Sequence, residues 1–139
     1  GVGIIPKGTT KIGGEAFRGC TGLTSIEIPE GVTEIGEYAF YGCTGLTSIV
    51  IPEGVTEIFY AAFAYCSSLE SITLPSTLET VGNYAFDCSS LKSATLPDSV
   101  TSVGSYAFAS CKSLKTLKSC SILMKCPLST LLNSARASR

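Results

Sequence analysis

The chain has 139 residues, of which 45% are hydrophobic and 15% charged, with a formal net charge of −1 and no histidine. The length fits one domain, and the composition excludes an intrinsically disordered chain, which combines low hydrophobicity with high net charge. No apolar run approaches the roughly 20 residues that span a bilayer, so no transmembrane helix is predicted.

The sequence repeats itself about every 23 residues from its first element onward. Three sets of equivalent residues, here called columns, show the period: Pro6, Pro29, Pro52, Pro75 and Pro97; Phe17, Phe40, Phe63, Phe86 and Phe108; Leu23, Leu46, Leu69, Leu91 and Leu114. A fixed period in this range indicates a solenoid, in which each repeat buries its apolar face against its neighbours. We place the repeats at 6–28, 29–51, 52–74, 75–96 and 97–119.

Each repeat divides into three predicted parts. The first is a strand, in which Ile26 and Ile28 alternate with Ser25 and Glu27 as a half-buried strand requires. Proline ends that strand because it has no N–H to donate. The second part carries two apolar residues three positions apart. The third carries Ala-Phe and then Cys, and we predict a short helical turn there that inserts the Phe into the core from the outer side.

One segment that spans the end of the first repeat and most of the second resembles a known family. Residues 23–43, LTSIEIPEGVTEIGEYAFYGC, are similar to the BspA-like leucine-rich repeat, whose consensus is LxxIxIPxxVxxIGxxAFxxC. Five copies cover roughly residues 2–119. The resemblance implies an α/β-type repeat solenoid over residues 1–119. Its parallel β-sheet would lie on the concave face, short helical turns on the outer side, and a capping helix at the C-terminus.

Seven cysteines invite a disulfide interpretation. Five align in one column, Cys20, Cys43, Cys66, Cys88 and Cys111, and two lie in the tail, Cys120 and Cys126. Stacked repeats bring equivalent residues about 4.8 Å apart, which is within disulfide range. In-register side chains would nevertheless have to rotate out of the core to pair. We therefore expect free thiols that act as small buried apolar groups.

Two departures from the repeat are informative. The third repeat has Phe59 where the others have glycine, which would be strained if the position needs a positive φ. We interpret that glycine as convenient but not required for the backbone conformation. We interpret Phe59-Tyr60 as an exposed aromatic pair able to anchor a partner. The fourth repeat has one residue fewer, which we place between Phe86 and Cys88, and it has Ala94 in the column of Ile26. An isoleucine-to-alanine truncation costs about 2–5 kcal/mol in other cores, so the weakest packing is expected at Ala94.

The last residues, 120–139, no longer follow the repeat. From Pro127, an apolar face recurs at helical spacing, at Leu128, Leu131, Leu132 and Ala135. A solenoid needs its open end covered, so we predict a capping helix over 127–137. The alternative is a basic amphipathic helix that docks on a membrane or a partner. At the other end, residues before Pro6 fall inside a strand without its leading leucine and without a signal peptide, so we expect a processed or trimmed product.

The residue types do not predict catalysis. No histidine is present to serve as a base near neutral pH, and the acidic residues occur singly at repeat positions. No phosphate-binding glycine motif and no CxxC pair occurs, so we predict neither a cofactor nor a metal site. Lysines cluster near the C-terminus without interleaved aromatics, so nucleic acid is not a predicted partner.

The open face of the predicted sheet remains as the candidate binding surface. Its residues are Ser25, Glu27, Ser48, Val50, Glu70, Ser71, Thr73, Lys92, Thr95, Lys115 and Lys118, with Phe59 and Tyr60 as an additional aromatic anchor. Five of these are small hydroxyl residues, which suit a polypeptide or, as a second ligand class, a glycan. The alternative interpretation is that these hydroxyl residues only keep a regular β-face soluble and bind no partner.

Charge is divided along the chain. Residues 1–90 carry three basic and ten acidic side chains, a net of −7, and residues 91–139 carry seven basic and one acidic, a net of +6. Such asymmetry indicates an oriented partner or a head-to-tail contact, or else drift among solvated positions.

Two functions follow from these observations. The resemblance implies a non-enzymatic protein-binding module of the cell surface or a secreted protein, associated with adhesion through the concave face. The alternative is a structural or scaffold subunit of a larger assembly, in an intracellular or organellar complex. The trimmed start, the opposite charges and the unrelated tail are compatible with this alternative.

Overall fold

The computed structural model describes residues 1–118. Every repeat contributes strands to two parallel sheets. The three-residue strands are β1 Val2–Ile4, β3 Ser25–Glu27, β5 Ser48–Val50, β7 Ser71–Thr73, β9 Ser93–Thr95 and β11 Thr116–Lys118. The two-residue strands are β2 Lys11–Ile12, β4 Glu34–Ile35, β6 Glu57–Ile58, β8 Thr80–Val81 and β10 Ser102–Val103. We call these two sets the long-strand sheet and the short-strand sheet.

Equivalent residues of adjacent repeats lie opposite one another in both sheets. The short strands form one continuous sheet in the order β10-β8-β6-β4-β2, and the long strands pair as β1-β3, β5-β7 and β9-β11. Ser48 lies opposite Ser71, and Ile35 lies opposite Ile58. The chain is therefore a parallel β-solenoid, as predicted. The short-strand sheet was not predicted, because two-residue strands leave almost no alternation to recognise. Where the solenoid ends stays a prediction, since residues 119–139 lie outside the described part.

The core consists of stacked identical side chains. The phenylalanine rings of successive repeats stack with centroids 5.0 to 5.5 Å apart and interplanar angles of 4 to 14°. Phe40, Phe63 and Phe86 are fully buried. Leucine, isoleucine and valine columns complete the core around these rings. Burial of this kind contributes about 1.5–3 kcal/mol for each large side chain, which explains why no repeat is stable without neighbours.

The predicted helical turns on the outer side are wrong: the structure contains no helix within residues 1–118. The backbone N–H groups of Tyr38, Phe40 and Gly42 donate to carbonyl oxygens of the next repeat at 2.8 to 3.0 Å. A group that donates to a neighbouring repeat cannot also form the intrahelical bond to the residue four positions before it. We call the segment between each short strand and the next long strand the turn side. The predicted capping helix, 127–137, lies outside the described residues.

The turn side requires left-handed backbone at two positions of each repeat. They lie two residues before and two residues after the buried Phe: Glu15, Tyr38, Ala61, Tyr84 and Tyr106; Gly19, Gly42, Tyr65, Cys88 and Ser110. All have φ between 52 and 73°. For residues other than glycine this conformation costs about 1–2 kcal/mol each. The hydrogen bonds to the next repeat hold it in place.

The fourth repeat is aligned differently from the prediction. Cys88 has a φ of 58° and donates its N–H to Ala109 O at 2.8 Å, which is the geometry of Gly42. Ser89 instead occupies the column of Cys43 and Cys66, since it is buried and its N–H bonds to Phe86 O at 3.3 Å. The missing residue therefore lies between Ser89 and Leu91 rather than before Cys88.

The buried cysteines are free thiols that donate to main-chain carbonyls. The Sγ atoms of Cys43 and Cys66 each lie 3.1 Å from the carbonyl oxygen of a Phe in the preceding repeat, Phe17 and Phe40 respectively. Cys111 makes the same contact with Phe86 O at 3.1 Å. None of the five cysteines in the described part forms a disulfide. Burial raises the pKa of Cys66 to about 12 and that of Cys43 and Cys111 to about 11.

Phe59 takes a position at which the other repeats have glycine. Glycine is favoured there because the backbones of adjacent repeats approach closely, and not because φ is positive. A Cβ added to Gly36 would lie 2.8 Å from Gly14 N, and one added to Gly82 would lie 2.7 Å from Phe59 C. Neither glycine has a positive φ, and neither does Phe59. The repeats therefore pack backbone against backbone at this corner.

Two adjacent alanines test the left-handed position. Ala61 has a φ of 52°, whereas Ala62 is not in the left-handed region, and both are buried. Each change to glycine removes one buried methyl group and adds unfolded-state entropy, but only Ala61→Gly relieves backbone strain. We expect Ala62→Gly to lower the free energy of unfolding by about 1–2 kcal/mol more than Ala61→Gly, measured by denaturant titration. Equal losses of unfolding free energy in the two variants would show that the backbone of Ala61 is not strained.

The thiol column predicts a stability loss in alkali. A thiol whose folded pKa lies above its unfolded pKa stabilises the fold below about pH 9, and this contribution is lost as pH rises toward 11 or 12. Between these pH values, each buried thiol lowers the free energy of unfolding by up to about 1.4 kcal/mol per pH unit. In urea titrations from pH 8 to 11, Cys66→Ala should be less stable at pH 8 but show a shallower decline. Cys20→Ala, which removes an exposed thiol, is the matched control and should retain the full slope.

Candidate functional site

The outward residues of the long strands form a regular exposed surface, here called the long-strand face. Its members are Ser25, Glu27, Ser48, Val50, Ser71, Thr73, Ser93, Thr95 and Thr116, and all are exposed. Their register follows from the strand pairing, so that serine stacks on serine along the solenoid axis. Val50 is 63% exposed, and β1 adds two further large apolar side chains to this face, Val2 at 75% and Ile4 at 85% exposed.

Two oppositely charged residues of the predicted site bind each other. Lys92 Nζ lies 3.1 Å from Glu70 Oε2 on the adjacent repeat, and both side chains are more than half exposed. A surface ion pair of this kind contributes about 0–1 kcal/mol, so it leaves both groups available to a partner. Lys115 lies one repeat further on, with its N–H donating to Lys92 O at 3.0 Å. Lys118 pairs through its backbone with Thr95, and its side chain lies outside the described part.

The long-strand face has open grooves where neighbouring long strands do not pair. The first groove lies between β3 and β5, and its apolar floor includes Ile26, Ile49 and Val50. Its rim carries three carboxylates, those of Glu27, Glu30 and Glu53. Hydrogen bonds from the Ser76 backbone N–H and hydroxyl, at 3.0 and 2.8 Å, lower the pKa of Glu53. The groove therefore combines an apolar floor with a negatively charged rim.

The second groove lies between β7 and β9, and Ala94 is part of its floor. Ala94 leaves Ile72 and Leu74 partly exposed, whereas the equivalent Ile49 and Ile51 are buried. This is the site of the weak packing expected from the sequence.

Phe59 and Tyr60 do not belong to this face. They lie at the end of a short strand, where the turn side begins, so the predicted site residues form two separate groups. Phe59 is half-buried, so the prediction of an exposed aromatic pair is wrong for this residue. Tyr60 is 38% exposed and its ring contacts those of Tyr38 and Tyr84. Sequence reasoning missed those neighbours, although Tyr38, Tyr84 and Tyr106 stand in one column.

The described residues contain no group of three histidine, cysteine, aspartate or glutamate side chains placed to hold a metal ion. No helix in the same part of the chain is long and apolar enough to cross a bilayer.

The fold and its repeat define a class of protein, the leucine-rich repeat solenoid. The model for the BspA type leucine rich repeat region, with six copies, matches residues 3–126. The chain therefore belongs to the BspA-type leucine-rich repeat family. The match has one copy more than the five predicted and extends past residue 119.

Solved structures with this fold are bacterial. A leucine-rich repeat protein from Bacteroides ovatus is 40% identical, with a TM-score of 0.80 over 84% of this chain and 33% of its own. The T. pallidum leucine rich repeat protein is 37% identical, with a TM-score of 0.80 over 84% of this chain and 57% of its own. A leucine rich cell surface protein from Faecalibacterium prausnitzii is 31% identical, with a TM-score of 0.65 over 85% and 38%. The chain thus spans between a third and about three fifths of these relatives. No curated protein matches it.

The second groove yields a stability prediction. Ala94→Ile would refill the column and cover Ile72 and Leu74, so the free energy of unfolding should rise by about 1–2 kcal/mol. In the unaltered protein, amide hydrogen exchange around Ala94 should be faster than around Ile49. Ser93→Ile, which adds the same side chain to the exposed face, is the control and should leave stability within about 0.5 kcal/mol. Exchange at Ala94 as slow as at Ile49 would contradict a packing defect.

Proposed function

We propose that this chain is a non-enzymatic protein-binding module of a cell-surface or secreted protein, acting in adhesion through the long-strand face. The observation that carries the proposal is the groove between β3 and β5, with its apolar floor and acidic rim. A site of this kind suits a polypeptide that offers an apolar side chain next to a basic one.

Charge along the same face supports an oriented partner. Glu27 and Glu30 stand near the N-terminal end, and Lys92 and Lys115 stand toward the C-terminal end. Complementary charge favours one orientation of the bound partner and raises its association rate more than its affinity. The regular hydroxyl residues between these ends, such as Ser71 and Thr73, contribute adaptable hydrogen bonds. A glycan remains the second ligand class for this part of the face.

The location is supported by one relative. The Faecalibacterium prausnitzii protein, which is 31% identical, is described as a cell surface protein. No histidine is available to the chain, which supports a binding role rather than catalysis.

The competing function is a structural subunit of a larger assembly, and the net charges of −7 and +6 in the two parts of the chain favour it. Light scattering with lysine cross-linking of material from the native source distinguishes the two. A monomer of 14.5 kDa without cross-links supports a free binding module. A large complex with reproducible cross-links at Lys92 and Lys115 supports the scaffold subunit and contradicts the adhesion proposal.

A pair of arginine substitutions tests the binding face. Val50→Arg places a cation among Glu27, Glu30 and Glu53 and occupies the groove, while Thr56→Arg adds the same side chain beside the short-strand sheet. Against immobilised, purified matrix proteins, we expect at least one to bind the unaltered chain, and Val50→Arg to weaken that binding tenfold or more. Thr56→Arg should bind normally. No binding at all, or equal losses in both variants, would overturn the use of this face.

A further inference from the structure

The turn side carries a continuous ladder of aromatic rings. All six tyrosines of the chain take part, in the order Tyr106, Tyr84, Tyr60, Tyr38, Tyr41 and Tyr65. Neighbouring ring centroids are 5.3 to 5.7 Å apart. We call this set the tyrosine ladder. It is separate from the long-strand face and is not used by the proposed function.

Much of the ladder is open to solvent. Tyr60 is 38% exposed, Tyr65 46% and Tyr106 51%. Large aromatic residues that cluster on a surface mark interaction sites far more often than single ones do.

The backbone of the ladder is strained although the fold offers a relaxed alternative. Tyr38, Tyr65, Tyr84 and Tyr106 have φ between 57 and 59°, where a bulky side chain is unfavourable. Gly42 occupies the column of Tyr65, so glycine fits this position without strain. Residues held in such conformations concentrate at ligand-binding sites. The tyrosines therefore occupy positions where glycine would avoid the backbone strain.

Two rings of the ladder, those of Tyr38 and Tyr41, already bind a cation from the chain itself. The guanidinium carbon of Arg18 lies 5.1 Å from the ring centroid of Tyr38 and 5.0 Å from that of Tyr41. Arg18 Nη1 also donates to Glu15 Oε2 at 2.9 Å. This is the geometry of a cation–π contact completed by a carboxylate. Within residues 1–117, no cation other than Arg18 lies over a tyrosine ring.

Negative charge lies beside one of the remaining rings, that of Tyr65. The pKa of Tyr65 is raised, first by the neighbouring Cys88 thiol and next by the Asp87 carboxylate. Burial is the main cause of the raised pKa of Tyr38, to which Glu37 adds a smaller effect. A surface of aromatic faces next to carboxylates is complementary to guanidinium groups, which are planar, weakly hydrated and able to stack.

We propose that the tyrosine ladder is a docking surface for an extended, arginine-bearing polypeptide of a partner protein. Its guanidinium groups would stack on Tyr60, Tyr65, Tyr84 and Tyr106 as Arg18 stacks on Tyr38 and Tyr41. Alternate residues of an extended strand lie about 6.6 Å apart on one side, which is close to the ring spacing and within the adaptable reach of arginine. The partner therefore carries arginine at alternate positions.

The test uses a synthetic peptide of four arginines alternating with glycine, and matched peptides with lysine or with uncharged citrulline. The chain contains no tryptophan, so its intrinsic fluorescence comes from the ladder tyrosines and reports their contacts directly. We expect the arginine peptide to change this fluorescence with saturation. It should bind at least threefold more tightly than the lysine peptide and at least tenfold more tightly than the citrulline peptide.

Substitutions separate stacking from general charge. Tyr106→Leu should weaken binding about two- to fivefold, and Tyr106→Phe, which keeps the ring face, should bind normally. Arg18→Gln exposes two further ring faces and should strengthen binding by a similar factor, whereas Lys11→Gln should not change it. Circular dichroism confirms that each variant is folded. Val50→Arg, on the long-strand face, should leave binding of the arginine peptide unaffected. The two proposed binding surfaces can therefore be tested independently.

Three outcomes would overturn the proposal. Equal binding of the arginine and lysine peptides would show that the ladder attracts cations by negative charge alone and not by stacking of guanidinium groups on the rings. Unchanged binding in both Tyr106→Leu and Arg18→Gln would show that the rings serve only the stability of the solenoid. A concentration-dependent dimer in light scattering that Tyr106→Leu abolishes would assign the rings to a second copy of this chain.

Discussion

The structure depends on one constraint, which is that the backbones of adjacent repeats hydrogen-bond to each other in register. This happens in the short strands, in the long strands that pair, and on the turn side, where Phe40 N–H donates to Ala62 O at 2.8 Å. Because the backbone is in register, each side chain meets its own equivalent. The phenylalanine stack and the thiol column are consequences of that register rather than independent choices.

The same constraint determines the conformation of the turn side. Alternate N–H groups must point to the next repeat, and the chain achieves this with a left-handed residue on each side of the buried Phe. A glycine such as Gly42 adopts this conformation freely, and Cys88 adopts it under strain. Tyrosine at these positions faces outward and meets tyrosine in neighbouring repeats, so a strained column becomes an aromatic surface.

Two surfaces result, with different chemistry. The long-strand face is hydroxylated and grooved, with carboxylates around the β3–β5 groove and lysines further along. The tyrosine ladder is aromatic and lies next to carboxylates. A solenoid can present independent surfaces in this way because a residue exposed on one side does not disturb the columns that form the core. The proposed adhesion through one face and the proposed arginine recognition through the other therefore rest on separate residues.

The sequence by itself determined the repeat, the parallel stacking and the buried columns, because these depend on periodicity and on side-chain volume. It also placed Ser25, Ser48 and Ser71 on one face, since alternation in a strand is local. Only the tertiary structure decided that the turn side is not helical, that Ser89 rather than Cys88 joins the thiol column, and that Tyr60 belongs to a ladder. Those features depend on which N–H reaches which carbonyl of the next repeat, and no local pattern records that pairing.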